Sequence, residues 1–323
     1  MAASEESTIT YQQLSDLERE FDDVETEIIR QQVRLTKPLY EKRKKVISQI
    51  PGFWPLVIEQ APPDIDEYIQ PTDSALILSF LTGLSVEHFE VESGGDPRSV
   101  AIRFEFSENE YFEDRVIEKK FWWRRAKDNW HGGLVSEPVE IKWKEGKDPT
   151  EGLLGLAKAV WDEEQAEGAN GAAKGKKKPL TEKQQALKAK IDANGLGGLS
   201  FFTWFGYRGE PISAEESRVA TREEKERRQR RAAGEEVATP TNEEEEEEEE
   251  DDEDEFLEIF PNGDSLALAI SDDLWPGAIK YFTQAQENDD LSDANFESDE
   301  DIEDAELPES EDEDERPSKK RKA

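Results

Sequence analysis

A seven-residue beat of apolar side chains near the N-terminus constrains this chain more than any other feature. Leu14, Phe21, Ile28 and Leu35 fall on one position of the repeat, while Leu17, Val24 and then Gln31 fall on the other. Such a seam marks a helix that packs against another helix. The helical pattern runs from about Thr8 to Gln49, and at 1.5 Å per residue it would reach on the order of 60 Å. One small domain cannot cover that length. The expectation is therefore a homodimer closed through Leu14, Leu17, Phe21, Val24, Ile28 and Leu35, with Glu18, Glu20, Glu25, Glu27, Arg30 and Arg34 edging the seam. Pro38 removes one backbone hydrogen bond and predicts a kink near Lys37.

The far end of the chain cannot fold by the same physics. Thirteen consecutive carboxylates run from Glu243 to Glu255, and a second acidic stretch runs from Glu287 to Glu315. Side chains that stay hydrated bury no apolar area to offset the entropy of ordering, so both segments are expected to be disordered. Much of the net charge of −38 sits there. Its sign attracts polycations and repels nucleic acid and anionic membranes, so neither direct DNA binding nor a membrane partner is expected. The absence of cysteine removes disulfides, zinc ribbons and thiol nucleophiles together. No stretch approaches the roughly 18 apolar residues of a membrane span, and the start lacks a signal peptide, which predicts a soluble intracellular chain. Lys319, Lys320, Arg321 and Lys322 read as a nuclear localisation signal, implying a nuclear protein that shuttles with the cytoplasm.

Between these ends the pattern changes from helical to alternating. Pro51-Gly52 stops the first helix, Phe53 to Ile58 begin a short apolar one, and another spans about Asp73 to Leu81 with Thr72 or Asp73 as its cap. Val86–Val91 and Val100–Phe106 flank a Gly94-Gly95-Asp96-Pro97 turn and predict a hairpin; Val116–Arg125 and Val139–Trp143 supply two more strands. Asp148-Pro149-Thr150-Glu151 has the form of a helix start with Asp148 as cap, the helix running to about Glu167. The stretch 168–198, with its basic cluster Lys174–Lys178, reads as an exposed flexible insertion, and Phe201–Phe205 as an aromatic knot that must be buried. Ser213–Ala233 predicts a very polar helix with Glu223–Arg227 and Glu224–Arg228 pairs. Ile270–Phe282 forms a last apolar piece around Leu274, Trp275, Ile279 and Tyr281.

The plan is α+β. A disordered start (1–9) precedes the dimerisation helix (10–50) and a domain over 51–205. A charged insertion (206–269), a C-terminal piece of the folded domain (270–286) and an acidic tail (287–323) complete it. No catalytic constellation emerges. His88 and His131 stand apart without further ligands, so neither metal nor cofactor is expected, and Gly195–Gly198 lacks P-loop spacing.

Five motifs occur in an order that resembles the nucleosome assembly protein family. They are Ile50–Trp54, Asn109–Asp114, Ile141–Asp148, Ser200–Phe205 and Asp272–Pro276, with the Phe-Phe-Thr-Trp-Phe run most similar to the SET (template-activating factor I) branch. The resemblance implies a long kinked N-terminal dimerisation helix plus a four-stranded antiparallel sheet backed by helices. It also implies a non-enzymatic histone chaperone that holds core histones on an acidic concave face and releases them for nucleosome assembly. Glu110, Glu113 and Asp114 after the second strand, and Asp272 and Asp273, are the expected contacts of the folded surface. The run containing Glu243, Glu250, Asp251 and Glu255 is expected to add an auxiliary site. Asp148 and Glu151 are weaker candidates because helix capping accounts for them.

Two rival classes remain open: a regulatory inhibitor or adaptor acting on a phosphatase or on histone-modifying enzymes, and a nucleic-acid factor using Lys174–Lys178 and Arg222–Arg231. The stretch Gly206–Ala269 is longer than the family pattern, and the basic helix within it is expected to associate with the acidic run. Ser298 and Ser310, each followed by acids, are candidate phosphorylation sites.

Overall fold

The computed structural model describes residues 11–126, 132–169, 179–195, 198–233, 235 and 257–288. The seam lies on α1 (Tyr11–Ile47), a 37-residue helix with Pro38 inside it and Lys44 and Lys45 in its last turn, where the helix dipole favours positive charge. Its seam residues Leu14, Leu17, Phe21, Val24, Ile28 and Leu35 are 49–74% exposed, whereas Arg19 and Ile47 are buried against the rest of the chain. Three short helices follow: α2 (Phe53–Glu59), α3 (Pro63–Asp66) and α4 (Pro71–Phe80). The expected caps Thr72 and Asp73 lie inside α4. Asp73 instead accepts a hydrogen bond from the Gln70 N–H at 3.1 Å, and from Ser200 Oγ and the Phe201 N–H at 2.6 and 2.7 Å. One buried carboxylate thus joins the start of α4 to the aromatic motif.

The sheet is antiparallel, in the order β1 (Leu81–Glu87), β2 (Val100–Phe106), β3 (Val116–Arg124), β4 (Gly133–Ser136). Two expected strands move. The first begins five residues before Val86, directly off α4, and pairs Leu84 with Phe104 and Val86 with Ile102. Glycine, serine and threonine in its first half hid it; an irregularity between Leu81 and Gly83 lets Gly83 sit close over Glu105, where a Cβ would come within 3.1 Å. The expected fourth strand, Val139–Trp143, lies outside the sheet. Its hydrogen bonds run from Val139 N–H to the Phe205 carbonyl and from Glu113 N–H to the Lys142 carbonyl, with a lone bridge between Phe112 and Trp143. Gly133–Ser136 takes the edge beside β3 in its place.

The helix expected from Asp148 starts later, as α5 (Leu153–Ala169). Asp148 caps a turn rather than the helix: its carboxylate accepts from the Thr150 and Gly152 N–H groups at 2.8 Å, and Glu151 sits at φ 53, outside any helix. The insertion expected to be flexible contains α6 (Glu182–Asn194), capped by Thr181. Its Leu187 is 1% exposed and joins Leu153, Ala157, Val160, Leu257 and Ile259 in a small second core. Residues Leu257, Ile259 and Phe260 are buried, so the C-terminal piece of the domain begins before Ile270.

The main core lies between the sheet and the 3-10 helix Phe201–Gly206, all of whose residues are buried. Phe104 meets Phe201, Trp204 and Phe205 edge-on, and Trp204 stacks on Phe121 at 5.3 Å. Trp204 Nε1 donates to the Gly263 carbonyl at 2.8 Å, at the start of α8 (Gly263–Leu268). A side chain at Gly263 would force the Tyr207 ring to move, since a Cβ would lie 2.3 Å from it. A π-helical turn (Ala269–Leu274) and a last described helix (278–288) follow; Ile279, expected in the apolar cluster, is 56% exposed.

Deep in this core β3 carries Lys119, 0% exposed, whose Nζ donates to the carbonyls of Glu137, Phe205 and Tyr207 at 2.9–3.0 Å. Desolvation pushes its pKa down to about 7. Nearby, Glu258 accepts from the Arg208, Gly209 and Phe260 N–H groups, and burial raises its pKa.

Candidate functional site

The loop after β2 is rigid because its polar atoms are used. Asn109 Oδ1 accepts from the Tyr111 and Phe112 N–H groups at 2.9 Å, which turns Phe112 inward against Phe106, Trp143 and Phe202. Lys144 Nζ closes the loop on the Asn109 carbonyl at 2.7 Å. Of the three carboxylates expected to contact a ligand here, two already have partners. Glu110 pairs with Lys147, which holds its carboxyl below the usual range, and Asp114 accepts from the Lys142 N–H at 2.7 Å. Glu113 points outward, exposed and with no side-chain partner among the described residues.

The second expected group, Asp272 and Asp273, is also divided in role. Asp273 accepts from the Tyr281 hydroxyl at 2.8 Å; desolvation, with this carboxylate beside it, pushes the Tyr281 pKa up to about 12. Asp272 is exposed, accepts from Ser271 Oγ at 2.9 Å and faces a groove. That groove, of about 890 Å³, separates α1 from β1. Val33, Tyr40 and Lys44 line one wall, Leu84 and Val86 the other. Glu113 and Asp114 line a different, smaller pocket of about 230 Å³ beside Lys144, so the two predicted acidic groups do not converge on one cavity. His88 Nδ1 donates to the Pro97 carbonyl, 2.7 Å away, a local contact of the β1–β2 connection. Glu243, Glu250, Asp251, Glu255, Lys319, Lys320, Arg321, Lys322, His131, Lys174–Lys178, Ser298 and Ser310 lie outside the described residues.

The sequence reading overlooked a second acidic row on α1 itself. Asp16, Asp22 and Asp23 meet arginines from the β1–β2 connection, from just past β3 and from a later helix. Arg98 and Arg125 reach Asp22 at 2.8 and 3.5 Å, while Arg228 and Arg231 of α7 (Ala214–Ala232) reach Asp23 and Asp16 at 2.8 and 2.6 Å. The expected Glu224–Arg228 pair is therefore replaced: Glu224 pairs with Arg227 at 2.6 Å and Arg228 crosses to α1. The basic side chains were legible in the sequence, but their partners lie some two hundred positions away.

Fold and surface together define an acidic α+β scaffold with one long helix whose apolar seam faces outward. Comparison with known proteins places it further. The nucleosome assembly protein model matches residues 47–285, and this chain belongs to the nucleosome assembly protein family. A Schizosaccharomyces pombe protein named as a nucleosome assembly protein is 37% identical over 153 residues, 44% of this chain and 60% of that one. Vacuolar protein sorting-associated protein 75 of Saccharomyces cerevisiae is 27% identical over 288 residues, 88% of this chain and 81% of that one. Protein SET of Drosophila melanogaster is 36% identical over 123 residues, which span 38% of this chain and 43% of its length. Among solved structures, a Ccp1 mutant superposes with a TM-score of 0.51 at 25% identity, covering 87% of this chain and 97% of that one.

Proposed function

We propose that this protein is a histone chaperone that binds core histones through acidic surfaces, shields them from non-specific DNA contacts and releases them into nucleosomes. The observation that carries the reading is the joining of the family fold to a chain of net charge −38. Free histones engage DNA phosphates indiscriminately, so a chaperone must offer a competing anion that lets go. Fixed carboxylates such as Glu113 and Asp272 supply orientation, and the acidic runs supply capture rate and salt sensitivity. Two copies joined along the α1 seam double the surface presented to a histone pair. The cluster Lys319–Lys322 is the import signal in this reading, and the nucleus is the site of action. Binding and release need no covalent step, so the protein works as a scaffold rather than an enzyme.

A competition assay tests it. Full-length protein is mixed with core histones and duplex DNA near ~0.15 M salt, where surface charges are screened beyond about 8 Å. The expected result is a soluble complex with histones, no complex with DNA alone, and regular nucleosome deposition when all three are present. Retention of DNA without histones would favour the nucleic-acid reading and overturn this one.

A further inference from the structure

Helix α7 carries seven basic residues against five acidic ones and is docked on the flank of α1 that presents Asp16, Asp22 and Asp23, beside the buried Arg19. The contact has little apolar content: among the described residues of α7, Ala220 is the one buried hydrophobic side chain. Charge and shape hold it instead. Arg231 grips Asp16 with two hydrogen bonds, Nε at 3.0 Å and Nη2 at 2.6 Å, and both side chains are largely covered, 17% and 27% exposed. Arg228 donates to Asp23 at 2.8 Å across a more open gap, where Asp23 remains 63% exposed. Glu224 lies between Arg227 and Arg231, at 2.6 and 3.7 Å, and braces the Arg231 side chain that reaches α1. At the other end of α7, Ser217 Oγ accepts from the Arg125 N–H at 2.9 Å, fixing the helix to the end of β3. Arg125 in turn reaches Asp22.

This is the geometry of a bound basic helix, supplied by the chain itself. A forked guanidinium on a carboxylate gives register, and an exposed pair beside it gives attraction that salt weakens. We infer that α7 is a displaceable internal ligand: it occupies an arginine-helix site on the Asp16–Asp23 flank of α1, and a basic helix from a partner competes for that site. The flank is distinct from the apolar seam, since Leu14, Leu17, Phe21 and Val24 stay exposed while α7 is docked. Occupation of one does not block the other. For the identity of the competitor, a histone helix, the inference rests on the proposed function. The cis contact would hold the flank closed until a cationic partner is present, and would make that step depend on ionic strength.

The test uses the full chain and a probe taken from it. A fluorescein-labelled peptide of residues 213–233 is titrated against wild type and against Arg228→Gln/Arg231→Gln at roughly 0.05 M salt, where screening is weak. Wild type, with the site filled in cis, binds the peptide poorly. The double variant binds it at least about tenfold more tightly, loses that binding when Asp16→Asn/Asp23→Asn is added, and shows faster amide hydrogen exchange across α7. Equal peptide affinity in wild type and variant, or unchanged exchange in α7, overturns the inference. Core histones form a second arm: they should accelerate α7 exchange in wild type, and histones that bind tightly without doing so also overturn it. If wild type holds no histones at all, the proposed function fails, and the peptide titration alone still decides the role of α7.

Discussion

The exposed face of α1 yields the sharpest prediction, the effect of Leu17→Asp/Ile28→Asp on self-association. Both side chains are about half exposed in the single chain, 49% and 57%. Full burial of such a residue is worth about 1.5–3 kcal/mol, so closing the remaining half contributes roughly 1 kcal/mol per residue. Each residue appears twice in a symmetric dimer, which brings the loss to about 4 kcal/mol, or about a thousandfold in Kd. The new carboxylates add a desolvation penalty in the same direction. Neither residue belongs to the two hydrophobic cores, so the folded body should survive with its circular dichroism and melting profile intact. Sedimentation equilibrium across the micromolar range is the assay, expected to show a dimer for wild type and a monomer for the variant. A variant that remains as dimeric as wild type would refute the seam, and with it the argument that a helix this long needs a partner helix.

Two other outcomes follow from individual side chains. Lys119 has a folded pKa near 7 against 10.5 when free, so between those values the unfolded chain binds more protons and stability rises with pH. Wild type should gain on the order of 1 kcal/mol per pH unit there relative to Lys119→Met in urea denaturation, and parallel pH profiles would count against the buried lysine as the cause. In the loop after β2, Glu113→Gln should weaken histone capture two- to fivefold, roughly, without changing the melting temperature. Asp114→Ala should instead lower the melting temperature first, because it strips the acceptor from the Lys142 N–H.

What could be read from the chain depended on whether its cause was local. Hydrophobic period and turn residues placed α1, β2 and β3 within a few positions, since helix and strand each impose their own spacing on the side chains that must be buried. Charge blocks and the aromatic run 201–205 were equally plain. The sheet edge was not. Val139–Trp143 has better strand composition than Gly133–Ser136, but its backbone is bonded to the loop at Tyr111–Glu113 and to Phe205, leaving the poorer segment to pair with β3. Local chemistry also misdirected the reading at Asp148, where a sound capping sequence closes a turn because Glu151 adopts a left-handed backbone.

The sequence by itself therefore determined the class: a long helix with an apolar seam, an α+β body and a large surplus of anions. Tertiary structure alone decided which of those anions are available. Glu110, Asp114 and Asp273 are paired with Lys147, the Lys142 N–H and Tyr281, Asp16 is largely covered by α7 and Asp23 is paired with Arg228 at its open edge, while Glu113 faces solvent and Asp272 faces the groove. The reason is physical. Net charge is a sum over residues and needs no coordinates, whereas the freedom of one carboxylate depends on which donors the fold brings within about 3 Å of it.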